Sequence, residues 1–145
     1  MRKNFNELDR IEGVSESLLF NKWGDLIIPQ LKYRDKRIIN LGKEIAYCAA
    51  FLEKIHHEVD FIEIVYEDRR ILVRMSNNFF IMVICLDHGD IPMIKLTMNV
   101  LHEEVKSEKE IQKIIQKSQG KIDLLTEAQK EAGWKELLNR ISLIG

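Results

Sequence analysis

The sequence predicts an α+β fold of the α/β/α sandwich type: a five-stranded antiparallel sheet with a long helix on one face and helices on the other, plus a C-terminal helical extension. Between Asp60 and Leu86, three runs of β-branched and aromatic residues are separated by two short polar breaks, which is typical of an antiparallel meander. Two further strand-like runs precede it, and helical periodicity lies between and after the strands. We expect residues 1–105 to form one domain and residues 106–145 the extension.

The first hairpin of the meander is expected to close over residues 68–69. That register places Glu67 opposite Arg70 and Glu63 opposite Arg74, so that opposite charges meet across the strand pair. The other face of the pair is then continuously apolar. Its members are Ile62, Ile64, Tyr66, Ile71, Val73 and Met75.

The second hairpin is expected to close over Asn77 and Asn78, which leads into a strand that is apolar on both faces. Its two faces carry Phe80, Met82 and Ile84, and Phe79, Ile81, Val83 and Cys85. A strand of this kind normally lies inside a sheet that is covered twice. The first strand of the meander has Glu63 and Glu67 on one face and is expected to be a sheet edge.

The N-terminal part of the chain predicts a short helix over Asn4–Ile11 and two strands over Val14–Asn21 and Leu26–Tyr33. The turn between these strands contains Gly24, which can supply the positive φ that a hairpin needs. Pro29 cannot donate to a strand ladder. The second strand should therefore lie at a sheet edge or carry a bulge.

A long helix is predicted from Asp35, as N-cap, to about His57. The residues expected on its sheet-facing side are Leu41, Ile45, Cys48, Leu52 and Ile55. A neighbouring strip consists of the small residues Gly42, Ala46 and Ala49, which would let a second helix approach closely. The alternative is that the strip eases packing against loops of the same chain.

Three helices are predicted after the meander. The first begins at Pro92 and runs to about Val105, with Ile94, Met98, Leu101 and Val105 on one side. The second starts at Ser107, whose position before Glu110 resembles a capping box. The third is amphipathic, spans Asp123–Ile144, and is expected to lie beyond the five-strand unit as an extension that docks on this subunit, its twin or a partner.

Composition excludes several classes of function. The formal net charge is −1 over 145 residues, so no global field favours nucleic acid or an anionic membrane. No apolar run reaches the ~18 residues of a membrane span, so no stable membrane insertion is expected. Cys48 and Cys85 fall at apolar positions without the spacing of a disulfide framework, which predicts buried thiols and a cytoplasmic protein.

The sequence predicts no catalytic residue, no cofactor and no metal site. The segment His56-His57-Glu58 lacks the i, i+4 spacing that lets two imidazoles converge on an ion. The turn from Asp87 to Asp90 is better explained as the exit from a strand and the cap of a helix. The sequence contains no glycine-rich phosphate loop and no Cys-x-x-Cys pair. A binding module fits this chain better than an enzyme.

The order of these elements resembles the roadblock (dynein light chain) family, a relative of the longin and profilin-like folds. The resemblance is carried by Gly13-Val14, by the hairpin turn Trp23-Gly24-Asp25, by the small-residue helix from Gly42 to Leu52, and by the meander from Val59 to Leu86. It covers roughly residues 4–104 and is a pattern of topology and hydrophobicity.

The resemblance implies a non-enzymatic homodimeric platform that binds and regulates a Ras-like small GTPase. Exposed charges such as Glu63, Arg70 and Arg74 are the expected contact residues on the platform. One alternative is a longin-like adaptor or scaffold for motor or trafficking complexes, which would bind peptides or intermediate chains. Another is a small-molecule sensor on a profilin-like sheet, which would require a cavity lined by several polar groups.

A twofold homodimer follows from the expected sheet edge. Pairing Asp60–Glu67 with the same strand of a second copy would remove both edges and extend the sheet to ten strands, while the small-residue helices meet beside it. The predicted dimer interface comprises Gly42, Ala46, Ala49, Phe61, Ile62, Glu63, Ile64 and Val65.

Overall fold

The computed structural model describes residues 2–28, 36–117 and 141–144. The chain begins with helix α1 (Arg2–Arg10), which is followed by strands β1 (Val14–Asn21) and β2 (Leu26–Ile28). The turn between the strands has the predicted positive φ at Gly24, of 87°. The β1–β2 register shifts between Leu19 and Phe20, so the pair carries the irregularity expected near Pro29, which itself lies outside the described residues.

The long helix is α2 (Lys36–Lys54). It ends in a turn in which His57 N donates to Leu52 O at 2.9 Å and His56 adopts a positive φ of 55°, a conformation that usually favours glycine at a helix C-terminus. Ile45, Cys48 and Leu52 are buried as predicted. Ile55 is 54% exposed, so its assignment to the sheet-facing side was wrong, because the helix ends before it. The predicted N-cap Asp35 lies outside the described residues.

The meander consists of β3 (Phe61–Val65), β4 (Arg69–Met75) and β5 (Phe79–Leu86). Its second hairpin has the predicted turn: Ser76 N donates to Phe79 O at 3.0 Å, and Met75 lies opposite Phe80. Strand β5 pairs with β4 on one side and β1 on the other, and its side chains are buried in separate cores on the two faces. The prediction for this strand is confirmed.

The register of the first hairpin differs from the prediction. Tyr66 N donates to Arg69 O at 2.9 Å, so the turn closes over residues 67–68 rather than 68–69. Each residue of β3 therefore faces a partner two positions earlier than expected; Glu63 lies opposite Leu72 and Phe61 opposite Arg74. A shift of two leaves every side chain on its predicted face, because alternation along a strand has a period of two. The predicted apolar face is confirmed, whereas the prediction of directly opposed charge pairs was wrong.

Two helices follow the meander: α3 (Ile91–Ser107) and α4 (Lys109–Lys117). Asp90 caps α3 by accepting from Met93 N at 3.2 Å, which confirms the structural interpretation of that turn. The four residues of the predicted inner stripe, Ile94, Met98, Leu101 and Val105, are fully buried. Ser107 belongs to the last turn of α3 and its hydroxyl donates to Glu104 O at 3.2 Å. The predicted capping box at the start of α4 was therefore wrong.

A short strand, β6 (Ile141–Ile144), follows residues that the structure does not describe. The predicted helix over Asp123–Ile144 is thus wrong for its last four residues, and the rest of it lies outside the described part of the chain. Strand β6 pairs antiparallel with β3, and the sheet has six strands in the order β2-β1-β5-β4-β3-β6. The five predicted strands are all present, and the sixth was not predicted.

The sheet separates two cores, as expected for the α/β/α sandwich. One face packs against α2 and includes Phe20, Phe80 and Met82. The other packs against α1, α3 and α4 and includes Leu72, Phe79 and Ile81. Ile111 and Ile115 of α4 belong to this second core, with 8% and 1% exposure. Residues on both sides of the predicted boundary at 105/106 therefore share one core, although the domain boundary itself remains a prediction.

Candidate interface

The candidate interface is built around β3, whose two edges are both used within the chain. One edge pairs with β4 over five positions and the other with β6 over four, with Phe61 opposite Ile144 and Ile64 opposite Ile141. The expectation that β3 is a free sheet edge was wrong, because a C-terminal strand satisfies its outer hydrogen-bonding groups. Interaction with a second copy through β3 stays a prediction, and it requires the outer edge to be vacated.

Most side chains of β3 are buried within the subunit. Ile62 and Ile64 are fully buried in the core beneath α2, and Glu63 is 9% exposed on the opposite face. Val65, at the end of the strand, is 52% exposed. A partner at this strand would therefore meet its backbone edge and its ends rather than a broad side-chain surface.

Glu63 and Arg70 form an ion pair across the hairpin. Arg70 Nη1 donates to Glu63 Oε1 at 3.0 Å, along a diagonal of the strand pair rather than between opposed positions. The Glu63 side chain is 12% exposed and that of Arg70 is 37% exposed, and Arg70 Nε lies 3.8 Å from Asp87 Oδ1. The pair ties the two strands together, and Glu63 is not the exposed contact charge that was predicted.

Arg74 is held in place by several partners. Its Nε donates to Asn99 Oδ1 of α3 at 2.9 Å, its Nη1 donates to Met75 O at 2.8 Å, and its side chain is 16% exposed. The guanidinium carbon lies 5.4 Å from the centroid of the Phe61 ring, within the range of a cation–π contact. Arg74 therefore links β4 to α3, and its prediction as an exposed contact charge was wrong.

The small residues of α2 face inward. A Cβ at Gly42 would collide with the Phe20 ring and lie 3.1 Å from Gly24 O, so this glycine allows the β1–β2 turn to lie directly on the helix. Ala46 is fully buried in the same core. Ala49 is partly exposed. Of the two interpretations of the strip, packing within the chain describes Gly42 and Ala46, and a dimer interface through the strip stays a prediction.

The turn that lies on α2 is fixed by polar contacts. Lys43 of α2 donates to Asp25 Oδ1 at 2.8 Å and to Trp23 O at 3.1 Å, and Asn21 Nδ2 donates to Asp25 Oδ2 at 3.0 Å. Burial raises the pKa of Asp25, but the hydrogen bonds from Lys43 and Asn21 outweigh it, so the pKa is lowered overall. The carboxylate stays charged at neutral pH and anchors the hairpin to the helix.

The outer face of α3 carries three exposed apolar side chains. Met93, Leu96 and Val100 are 46%, 60% and 49% exposed, and they follow the i, i+3, i+7 spacing of one helix face. This face points away from the buried stripe of the same helix. It was not predicted from the sequence, although its residues follow the same helical periodicity as the inner stripe. We call these three residues the α3 outer stripe.

His102, on the inner side of α3, is a buried titratable residue. It is 5% exposed, and its ring centroid lies 5.4 Å from that of Phe79. Burial, followed by the charge of Arg74, lowers its pKa below the ordinary value of 6.5. Its Nδ1 lies 3.3 Å from Glu103 Oε1 without hydrogen-bond geometry. The imidazole is therefore neutral at pH 7, and this contact is not an ion pair.

A broad depression of about 820 Å³ lies at the end of the sheet where α2 stops and α3 passes. Its lining mixes acidic and basic side chains, among them Glu53, His56, Arg74 and Lys106. The depression is open to solvent, whereas small-molecule sites bury most of their ligand in a largely apolar cleft. It does not provide the enclosed polar cavity that a sensor function requires.

The described residues show little reactive chemistry. Burial raises the pKa of Cys48 to about 11 and also raises that of Cys85, and the two free thiols belong to different hydrophobic clusters. Within the described ranges, no group of three or more metal-ligating side chains comes together. None of the helices in those ranges has the length and apolarity to cross a membrane.

No protein-family model matches the sequence, and no curated protein matches it significantly. Solved structures do match the fold. A Roadblock/LC7 domain from Streptomyces avermitilis superposes with a TM-score of 0.56 at 10% identity, covering 73% of this chain and 94% of that domain. The gliding protein MglB from Thermus thermophilus gives 0.54 at 12% identity, covering 81% and 89%. MglC from Myxococcus xanthus gives 0.54 at 14%, covering 73% and 96%.

The chain has the roadblock fold. The resemblance inferred from the order of elements is thereby confirmed at the level of architecture. At these identities the likeness concerns the fold alone. The roadblock unit spans nearly the full length of the similar domains, and the α/β/α sandwich of this chain corresponds to it.

Proposed function

We propose that this chain is a non-enzymatic, cytoplasmic platform that forms a homodimer and binds and regulates a Ras-like small GTPase. The observation that carries the proposal is the roadblock fold, which the resemblance in the sequence already linked to GTPase binding. Solved proteins with this fold include MglB, which one structure shows with a tetrameric arrangement.

The chemistry of the site agrees with action by contact. In the described part of the chain, charged side chains on the sheet are engaged in structural pairs, such as Glu63 with Arg70. Both cysteine thiols are protonated at neutral pH because burial raises their pKa. These features give the site no acid, base or nucleophile directed at a common point. The proposed effect on a GTPase therefore comes from binding one conformation of its switch segments more tightly.

We place the GTPase contact on the α3 outer stripe. Met93, Leu96 and Val100 form an exposed apolar patch on one helix face, and patches of this kind often mark an interaction site. The stripe lies on the face of the sheet opposite α2. It therefore stays available in a dimer that uses β3. In such a dimer each copy presents one stripe.

The proposal is tested by titrating the full chain with a Ras-like GTPase from the same source, loaded with GDP or with a non-hydrolysable GTP analogue. Tighter binding to one form by about tenfold, equivalent to about 1.4 kcal/mol, is within reach of a few contacts. Phosphate release by the GTPase is then followed at a saturating concentration of the full chain. Equal affinity for both forms with unchanged turnover would leave the adaptor or scaffold function as the better account, and absence of binding would refute the proposal.

A matched pair of variants tests the location of the contact. Leu96→Lys places a charge in the middle of the α3 outer stripe and should weaken GTPase binding about tenfold or more, the effect expected of a contact residue at the centre of an interface. Leu86→Lys makes the same change at another exposed leucine, on β5. It should bind as the wild type does. Equal losses in both variants, or in neither, would show that the stripe is not the contact.

A further inference from the structure

Strand β6 occupies the backbone edge that a second copy of the chain would need. Four positions of β3 are paired with it, from Phe61 opposite Ile144 to Ile64 opposite Ile141. The predicted dimer would pair β3 with the β3 strand of its twin along this same edge. A sheet edge offers one row of hydrogen-bonding groups. The two pairings are therefore mutually exclusive.

The two pairings are also similar in extent. Strand β6 supplies four residues from the C-terminal end of the chain, whereas β3 itself has five. Each backbone hydrogen bond contributes only about 1 kcal/mol net, so neither pairing has a large advantage in hydrogen bonding. Pairing of β6 closes a connection from α4 to β3, and the entropic cost of such closure rises slowly with the length of the connection. Because the twin also loses translational and rotational freedom on association, the balance between the two partners depends on protein concentration.

The core contacts of β3 lie within the rest of the domain. Ile62 and Ile64 are fully buried, and they pack in the cluster beneath α2 with residues of β4 and β5. The exchange concerns the outer row of backbone groups of β3, which either strand can satisfy as an antiparallel partner. A second copy of β3 fits the vacated edge because antiparallel pairing of a strand with itself is compatible with twofold symmetry.

We infer that β6 is an intramolecular cap on the dimerisation edge, and that the β3 strand of a second copy displaces it when the dimer forms. The inference rests on the homodimer of the proposed function and adds a regulatory segment to it. The occupant of the edge is β6 in the single chain and β3 of the twin in the dimer.

The cap sets the apparent affinity of the dimer. When only a fraction of the molecules is competent to bind, the apparent affinity is reduced by that fraction. In the dimer, both copies must have released β6. If β6 is paired about ten times as often as it is released, the apparent dissociation constant rises by about a hundredfold, because the factor is squared. Factors that release β6 would promote dimerisation.

The test compares the wild type with a chain that ends at residue 140 and with a chain whose cap is locked. The lock is the double substitution Phe61→Cys and Ile144→Cys, because these residues lie directly opposite each other and opposed positions of antiparallel strands are close enough for a disulfide. The native thiols Cys48 and Cys85 are buried and do not compete. Sedimentation equilibrium over a range of concentrations gives the dimer dissociation constant of each form.

The shortened chain should dimerise at least about tenfold more tightly than the wild type. The oxidised locked chain should remain monomeric at concentrations where the wild type is a dimer, and reduction should restore dimerisation. Ile144→Cys alone serves as the control and should match the wild type. An unchanged dissociation constant on truncation, or dimers of the oxidised locked chain, would overturn the inference. If the truncated chain aggregates, the locked chain alone decides.

Failure of this inference is distinguishable from failure of the proposed function. The GTPase titration uses the full chain and reads out affinity for a labelled nucleotide complex, and it does not depend on which strand occupies the edge. If no form of the chain dimerises, the cap and the homodimer are both refuted, whereas GTPase binding is still decided by the titration.

Discussion

Replacing Gly42 by alanine should destabilise the protein, although alanine is the better helix former. In an unhindered helix interior this change stabilises by about 1 kcal/mol. Here the added Cβ collides with the Phe20 ring and approaches Gly24 O to 3.1 Å. The Phe20 ring is fully buried and stacked on Phe80, with centroids 5.0 Å apart and an interplanar angle of 14°. It therefore has little room to move away.

The two opposing effects set the expected magnitude. Overpacking a well-filled core costs about 1–3 kcal/mol, and steric contact with both a ring and a backbone carbonyl favours the upper part of that range. After subtraction of the gain in helix propensity, the net loss should be about 1–2 kcal/mol. For a chain of this size such a loss lowers Tm by about 2–8 °C.

Urea denaturation followed by far-UV circular dichroism measures this loss as a lower midpoint with an unchanged slope. The double variant Gly42→Ala/Phe20→Leu is the informative control, since a smaller side chain at position 20 makes room for the new methyl group. The cost of Gly42→Ala should shrink in that background, as a coupling between the two sites. A single variant as stable as the wild type would show that the glycine is not needed for close approach of the hairpin.

Three further predictions concern charged and thiol groups. Glu63→Ala removes the carboxylate that Arg70 binds at 3.0 Å, leaving Asp87 at 3.8 Å, and should cost about 1–3 kcal/mol in urea denaturation. Arg69→Ala, at an exposed residue, should change stability by less than about 0.5 kcal/mol. Burial lowers the pKa of His102 in the folded state, so the unfolded chain binds more protons as the pH falls below 6.5. The free energy of unfolding should therefore decrease as the pH drops below 6.5. His102→Phe should reduce this pH dependence. Cys48, with a pKa of about 11, should react with a thiol reagent at pH 8 far more slowly in the native protein than in urea, and equal rates would contradict its burial.

Periodicity predicted most elements of the fold. Strand β1 has the predicted bounds, and the inner stripe of α3 is buried as expected. The turn at Asn77 and Asn78 was recognisable because two polar residues stand between apolar strands. The first hairpin offered a longer polar stretch, from Glu67 to Arg70, in which two turn positions preserve the same faces. Alternation could not distinguish them.

Features that depend on distant partners were not predictable. The residues of β6 continue an apolar pattern that suits a helix, and their strand conformation is tied to pairing with β3, far away in the sequence. Gly42 and Ala46 each follow a residue of the apolar stripe of α2, so a small rotation of the helix decides whether they face the core or the surface. Small residues beside an apolar stripe fit either the core or a partner helix, and only the position of Phe20 places them inside.

The α3 outer stripe and the predicted contact charges illustrate the same limit. The α3 outer stripe follows a helical spacing that the sequence contained, but a helix with apolar residues on two sides can bury either one. Glu63, Arg70 and Arg74 were predicted contact residues because they were expected to be exposed charges of the platform. Arg74 is instead bound to Asn99 of α3, which no pattern within the strands indicates.

The central claim, that this roadblock-fold chain acts by binding a Ras-like GTPase, is tested most directly by sedimentation velocity of the labelled GTPase. The GTPase, loaded with a non-hydrolysable GTP analogue, is measured alone and with an excess of the full chain. The account predicts a faster boundary in the presence of the wild-type chain, and a return toward the free GTPase with Leu96→Lys. An unchanged boundary in the presence of the wild-type chain, in both nucleotide states, would contradict the account.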